Sequence, residues 1–171
     1  MNIAKILRTA FEIASQDVIG YSNTASIMRL GEQAGAGAST SPDELTQQER
    51  LAQAVWVLQL LKEVCTQEQI DALACRHGYG SDAFCEGAVR LVRGRVFGGI
   101  EASDSIKGLM LQLMFGEQHS CEMIAQLVGK NKSTVWRWCE KAKGELSGLA
   151  DAGELCIELA LARRGVFEFA A

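Results

Sequence analysis

The sequence predicts an all-α fold, an orthogonal bundle of short helices, and three observations carry that prediction. Apolar residues recur at i, i+3, i+4 and i+7 in nearly every patterned segment, the period of one helix face. Helix-start and helix-stop residues separate these segments into elements of roughly 8 to 20 residues with short connections. The chain holds a single proline, Pro42, and no strand signal competes.

Ile3, Ile6, Leu7, Ala10, Phe11 and Ala14 trace the first helix, with Asn2 as its cap. A second short helix is expected from Ser22 to Leu30. Residues 31–42 contain no large apolar side chain and read as a flexible linker behind an N-terminal arm, 1–30. Ser41, Pro42 and Glu44 then signal a helix start, followed by a stripe of Leu51, Val55, Leu58 and Leu61, with Ala54, Leu60 and Val64 beside it. Thr66-Gln67-Glu68-Gln69 is a capping box that opens a helix with Ile70, Leu73 and Ala74 inward, closed by Gly78-Tyr79-Gly80. Ser81-Asp82 opens the next, carrying Phe84, Ala88, Leu91 and Val92, with Gly87 as an interruption and Gly94 and Gly98-Gly99 as its end. Ser103-Asp104 begins another, with Ile106, Leu109, Met110, Leu113 and Met114.

A weak internal repeat runs through these elements. Val57-Leu58-Gln59-Leu60-Leu61 resembles Met110-Leu111-Gln112-Leu113-Met114, and Leu73-Ala74 with Gly78 and Phe84 resembles Ile124-Ala125 with Gly129 and Val135. Two tri-helical units in tandem would account for both. The organisation expected is therefore an arm (1–30), a linker (31–42), a helical body (43–100), a second helical unit (101–150) and a C-terminal helix and tail (151–171).

Composition excludes several classes. At 48% apolar and 22% charged residues there is material for a core, and wholesale disorder is not expected. No apolar stretch approaches the roughly 20 residues that span a bilayer, and the charges within Met1 to Arg8 do not suit a secretory leader. Seventeen basic against 21 acidic residues leave a net charge of −4, so any contact with nucleic acid must use a local patch. The expected compartment is a cytoplasm.

The six cysteines, Cys65, Cys75, Cys85, Cys121, Cys139 and Cys156, are then expected to be reduced thiols, and no two are spaced Cys-x-x-Cys. Cys75 with His77 and His119 with Cys121 could supply four zinc ligands, but the one-residue spacing is unusual, and thiols packed between helices are the favoured reading. Only His77 and His119 offer imidazole bases, and no phosphate-cradling glycine loop occurs, so neither catalysis nor a cofactor is expected.

The segment Cys121 to Trp138 has the layout of a helix-turn-helix. Ala125 is small where a second helix would cross, Gly129 suits the tight turn, and Val135 and Trp138 return apolar atoms to Ile124, Val128 and the helix before. Lys130 departs from the pattern by standing where an apolar residue is common. On the opposite face lie Ser133, Trp136, Arg137 and Glu140, with Lys141 alongside and Lys130 and Lys132 at the start. Between 130 and 143 five cations face one acid, Glu140, a local +4, which leaves −8 on the rest of the chain. Asn131 is the expected cap, and the free amides behind it suit a phosphate oxygen. Ser133, Thr134 and Arg137 are placed to reach base edges, with Arg137 suited to a bidentate pair with guanine. The expected DNA-binding set is thus Lys130, Asn131, Lys132, Ser133, Thr134, Trp136, Arg137 and Lys141. Against this stands the plainer reading of a solvated basic helix with Trp136 packed on a neighbour. A second basic segment, Ile70 to Arg95, holds Arg76, His77, Arg90, Arg93 and Arg95, and reads as a second DNA unit, a degenerate one or a partner surface, the last two favoured.

From Leu109 to Leu149 the order of an apolar helix, Gly116, Ile124-Ala125, Gly129, Ser133-Thr134-Val135 and Glu140-Lys141-Ala142-Lys143-Gly144-Glu145-Leu146 resembles the C-terminal part of small phage late-gene antitermination proteins of the Q class. It is also similar to region four of sigma factors. The resemblance covers about 40 residues well and implies a protein that binds double-stranded DNA near a late promoter and acts with RNA polymerase to override terminators. The alternatives are a small terminase-like packaging subunit, which should form large rings, and a helical interaction module that binds no DNA.

Overall fold

In a computed structural model that describes residues 3–15, 47–116 and 119–165, every regular element is helical. Seven α-helices are seen among the described residues: α1 (Ile3–Ser15), α2 (Gln47–Val64), α3 (Gln67–His77), α4 (Asp82–Arg93), α5 (Asp104–Gly116), α6 (Cys121–Val128) and α7 (Lys132–Arg163). A short 3-10 turn, Arg95–Phe97, follows α4. The expected helix at 22–30, the linker at 31–42, the caps at Asn2 and Ser41 and the tail beyond Gly165 lie outside the described residues.

One continuous core joins all seven helices. It runs from Leu7 and Phe11 of α1 through Leu60, Leu61 and Leu73 to Met110, Ile124, Val135 and Ile157. The arm helix belongs to this core, because α1 packs along α2 and touches α3 and α4. The boundary expected at 150/151 falls inside α7, a single helix of 32 residues that contacts α2, α3, α5 and α6.

Local chemistry sets the ends of the helices as expected in most places. Thr66 Oγ1 accepts from the Gln69 amide, and Gln69 Oε1 accepts from the Thr66 amide at 2.8 Å, completing the capping box of α3. The Ser81 hydroxyl caps α4 at the Phe84 amide, and the Ser120 hydroxyl caps α6 at the Met123 amide. The order helix, capped helix, glycine turn, helix occurs twice, in α2–α3–α4 and in α5–α6–α7. The matched positions Leu73 and Ile124, Ala74 and Ala125, Phe84 and Val135 are all buried.

Two readings of the sequence need correction. The buried face of α2 is Ala52, Ala54, Val57, Leu60 and Leu61, while Leu51, Val55 and Leu58 are only half-buried. This helix is apolar on most sides, so the largest side chains did not mark the inner face, and the alanines allow the closest packing. Gly87 does not interrupt α4. It is buried mid-helix, where a Cβ would sit 3.3 Å from both Cα and Cβ of Asp71, so the missing side chain sets how closely α3 and α4 approach.

Asp71 on α3 is the buried carboxylate at that crossing, only 2% exposed. Its oxygens accept from Arg90 Nε at 3.0 Å and Nη2 at 2.9 Å and from the Gln67 side-chain amide at 2.8 Å. Asp71 is buried while Arg90 is half exposed, so removing Arg90 would leave a buried carboxylate without compensation, and the pair holds α3 against α4.

A candidate nucleic-acid interface on α6 and α7

The turn between α6 and α7 is built by Gly129. Its φ of 63° lies in the left-handed region, where an L side chain is strained, and it closes the end of α6. The Lys130 amide donates to the Ala125 carbonyl at 3.0 Å and the Gly129 amide reaches the Gln126 carbonyl, the two bonds of a Schellman motif. Lys130 follows that turn with its side chain exposed, so the charge in place of an apolar residue leaves the turn intact.

Asn131 stands at the N-cap of α7 in extended conformation, but its side chain makes no capping hydrogen bond, contrary to expectation. Its carbonyl instead takes the amides of Thr134 at 2.9 Å and Val135 at 3.3 Å. The amides of Lys132 and Ser133 precede the first helical bond, at the positive end of a helix of 32 residues.

The inner face of α7 is Val135, Cys139, Ala142 and Leu146, all buried. Trp138, expected to anchor this face, is half-buried at its side, and the smaller Cys139 takes the central place against α6. Burial, and then the neighbouring Cys121, push the Cys139 thiol up to about 12, so no charge forms between the two helices. Ile124 and Ala125 are buried beneath α7, and Val128 is half-buried.

Of the eight residues expected to read DNA, Lys130, Asn131, Lys132, Ser133, Trp136, Arg137 and Lys141 are exposed, and Thr134 is half-buried. Trp136 does not pack away on a neighbour; it is 56% exposed. Arg137 Nε donates to its own helix at the Ser133 carbonyl, 3.3 Å. Lys141 Nζ donates to the Gly98 carbonyl at 3.0 Å and so ties the loop after α4 to α7, a role that its sequence position did not announce. Lys132 has a loose contact of 3.8 Å with Glu122, both side chains being about two-thirds exposed, where such a pair contributes little. Among the described residues no carboxylate pairs with Lys130, Arg137, Lys141 or Lys143.

The basic residues of the first triad behave differently. Arg76 reaches Asp151 at 2.6 Å and Glu154 at 3.0 Å, and His77 Nε2 lies 2.8 Å from the same Glu154. Arg90 holds Asp71, Arg93 meets Asp104 at 3.2 Å, and Arg95 meets Glu68 at 3.3 Å. Hydrogen bonds to Asp71 hold the Arg90 pKa above its ordinary value against the opposing effect of burial. Arg76, Arg90, Arg93 and Arg95 thus each meet a carboxylate of the same chain, Arg93 and Arg95 on the open surface. The four residues considered for zinc do not converge either: His77 faces Glu154, His119 faces Gln112, and no cluster of three or more such ligands exists among the described residues.

No helix among the described residues is long and apolar enough to cross a membrane. No protein-family model matches the chain, and no curated protein matches its sequence.

Proposed function

We propose that the chain binds double-stranded DNA through α6, the Gly129 turn and the start of α7, as a regulator of transcription. One observation carries this reading: among the described residues Lys130, Arg137, Lys141 and Lys143 are exposed and have no carboxylate partner, whereas Arg76, Arg90, Arg93 and Arg95 each lie within salt-bridge distance of one. Cations clustered without carboxylate partners repel one another and gain most where phosphates supply the missing charge.

In this reading Lys130, Lys132 and the open amides at the head of α7 take phosphate oxygens and set the register on the duplex. Arg137, whose Nε bonds the Ser133 carbonyl one turn before it, keeps its two terminal amino groups for a guanine edge. Thr134 is turned partly inward and contributes less than the sequence suggested. The resemblance to late-gene antitermination proteins extends the proposal to action with RNA polymerase, for which a pull-down of the polymerase with the intact chain is the direct measurement.

The test of DNA binding is the salt dependence of affinity for a duplex followed by fluorescence anisotropy. Neutralising three to five phosphates should give a slope of log K against log salt of about −3 to −4.5. Arg137→Ala should cost about 1–3 kcal/mol on a selected preferred site and little on random duplex. Lys132→Ala should weaken all duplexes alike and flatten the slope by about one. A flat salt response, or two variants that bind as the parent does, overturns the proposal.

A further inference from the structure

The far end of α7 carries a second face that is not part of the core among the described residues. The core takes Ala150, Gly153, Ile157 and Leu161 of this helix. At 100° per residue the opposite side is Gly148, Ala152, Leu155, Leu159 and Ala162, alternating by four and three residues, the spacing of a two-helix seam. Leu155 is 54% and Leu159 44% exposed, two of the six large apolar residues most open to solvent among the described ones. A Cβ at Gly148 would meet nothing within 4 Å, so the bundle itself does not require a glycine there, although one in an exposed helix interior costs about 1 kcal/mol relative to alanine.

The charges flanking this seam indicate what covers it. Glu158 borders one side and Arg163 the other; both are exposed, and neither has an ion-pair partner among the described residues. In two parallel helices related by a two-fold axis, a residue on one flank meets the opposite flank of the partner five residues on. That relation joins Glu158 of one copy to Arg163 of the other, twice, and sets Asp151 beside Cys156. An antiparallel pair would instead bring Glu158 towards Asp151, acid against acid. Towards the N-terminus the same face turns to Glu145 and Lys141, where like charges repel, so the seam is confined to 148–162 and the helices part beyond it.

We infer that this face is a self-association surface through which two copies of the chain pair by parallel α7 helices. Parallel pairing places both heads of α7 at the same end of the assembly, as two DNA-reading units on one duplex require. The inference does not depend on DNA binding, and its measurement uses no DNA, so either reading can fail without the other.

Sedimentation equilibrium of the intact chain over roughly a hundredfold range of concentration should show a monomer–dimer equilibrium with no larger species. Leu155→Glu with Leu159→Glu should abolish the dimer while helicity by circular dichroism is retained, since both side chains already face solvent. Glu158→Arg alone and Arg163→Glu alone should each raise the dissociation constant about three- to tenfold, and the double exchange should restore it. A monomer at every concentration, ring-sized species, or association unchanged by the leucine variants overturns the inference. Single charge variants that associate as tightly as the parent overturn the parallel arrangement.

Discussion

At the scale of single residues, the chemistry of the interior is set by which groups are kept neutral. Burial, joined by the Asp71 carboxylate, pushes the Cys75 thiol up to about 12; burial, joined by Cys156, pushes Cys65 up to about 11. With Cys139 at about 12, three of the six thiols have folded-state values above the ordinary 9.0. Because the unfolded thiols ionise first, this contribution to stability is complete below about pH 9 and is lost as pH rises through 11 to 12. Urea midpoints should therefore fall progressively above pH 9. At pH 8 an aromatic disulfide reagent should modify the exposed Cys85 at once and Cys75 and Cys139 only as slowly as the fold opens; equally fast reaction of all six would contradict the burial described. Sequence spacing showed no Cys-x-x-Cys pair and favoured thiols packed between helices, without telling which of the six are buried. It gave no sign of Asp71 either, since a lone aspartate in a helix reads as solvent-facing and its partner, Arg90, stands 19 residues away.

At the scale of elements, the caps were legible and the faces less so. Thr66 and Ser81 act within a few residues of themselves, so local sequence contains the whole interaction, and Ser120 caps α6 in the same way although its place was not read from the sequence. Which side of α2 turns inward depends on α1 and α7, which local sequence does not contain. The same division runs through the interface. Gly129 and the buried Ile124, Ala125 and Val135 could be read from spacing, whereas the idle cap of Asn131 and the bond from Lys141 to Gly98 depend on backbone geometry and on a distant loop. The turn itself offers a clean measurement. A Cβ at Gly129 would meet nothing within 4 Å, so the penalty of a substitution comes from the positive φ alone. Gly129→Ala should lower stability by about 1 kcal/mol and Gly129→Asn by less, with Gly129→Val worst because its branched side chain tolerates that region least. Equal stability of the alanine and valine variants would show that the turn relaxes to another conformation.

At the scale of the whole molecule, the all-α fold was legible because its signals repeat in every segment, but the sequence suggested more separation than the structure has. Two similar triads read as two units, and a small-residue stretch after Leu30 set the first helix apart as an arm. The structure instead gathers α1 into the core, lays α7 across both triads, and joins Arg76 and His77 of the first to Asp151 and Glu154 on the last helix. Neither triad retains a complete core without α7: Leu73 of the first packs against Gly153, where a Cβ would come within 2.8 Å of its methyl group. A chain arranged in this way has no partly unfolded state that keeps one triad and exposes little apolar surface, so the triads should melt together. Urea unfolding followed by helical circular dichroism, by tryptophan fluorescence from Trp56 in the first triad and Trp136 and Trp138 in the second, and by exposure of Cys75 should give coincident transitions. To separate the signals, Trp56→Phe leaves only the second triad reporting, and the Trp136→Phe, Trp138→Phe pair leaves only the first. Midpoints that differ between these two variants, each compared with its own circular dichroism, would mean that α7 bends or frays between the triads and that they are thermodynamically separate. Coincident midpoints would mean that the cationic head of α7 and its leucine seam belong to one cooperative unit, the condition under which pairing of two copies could fix the relative placement of two DNA-reading surfaces.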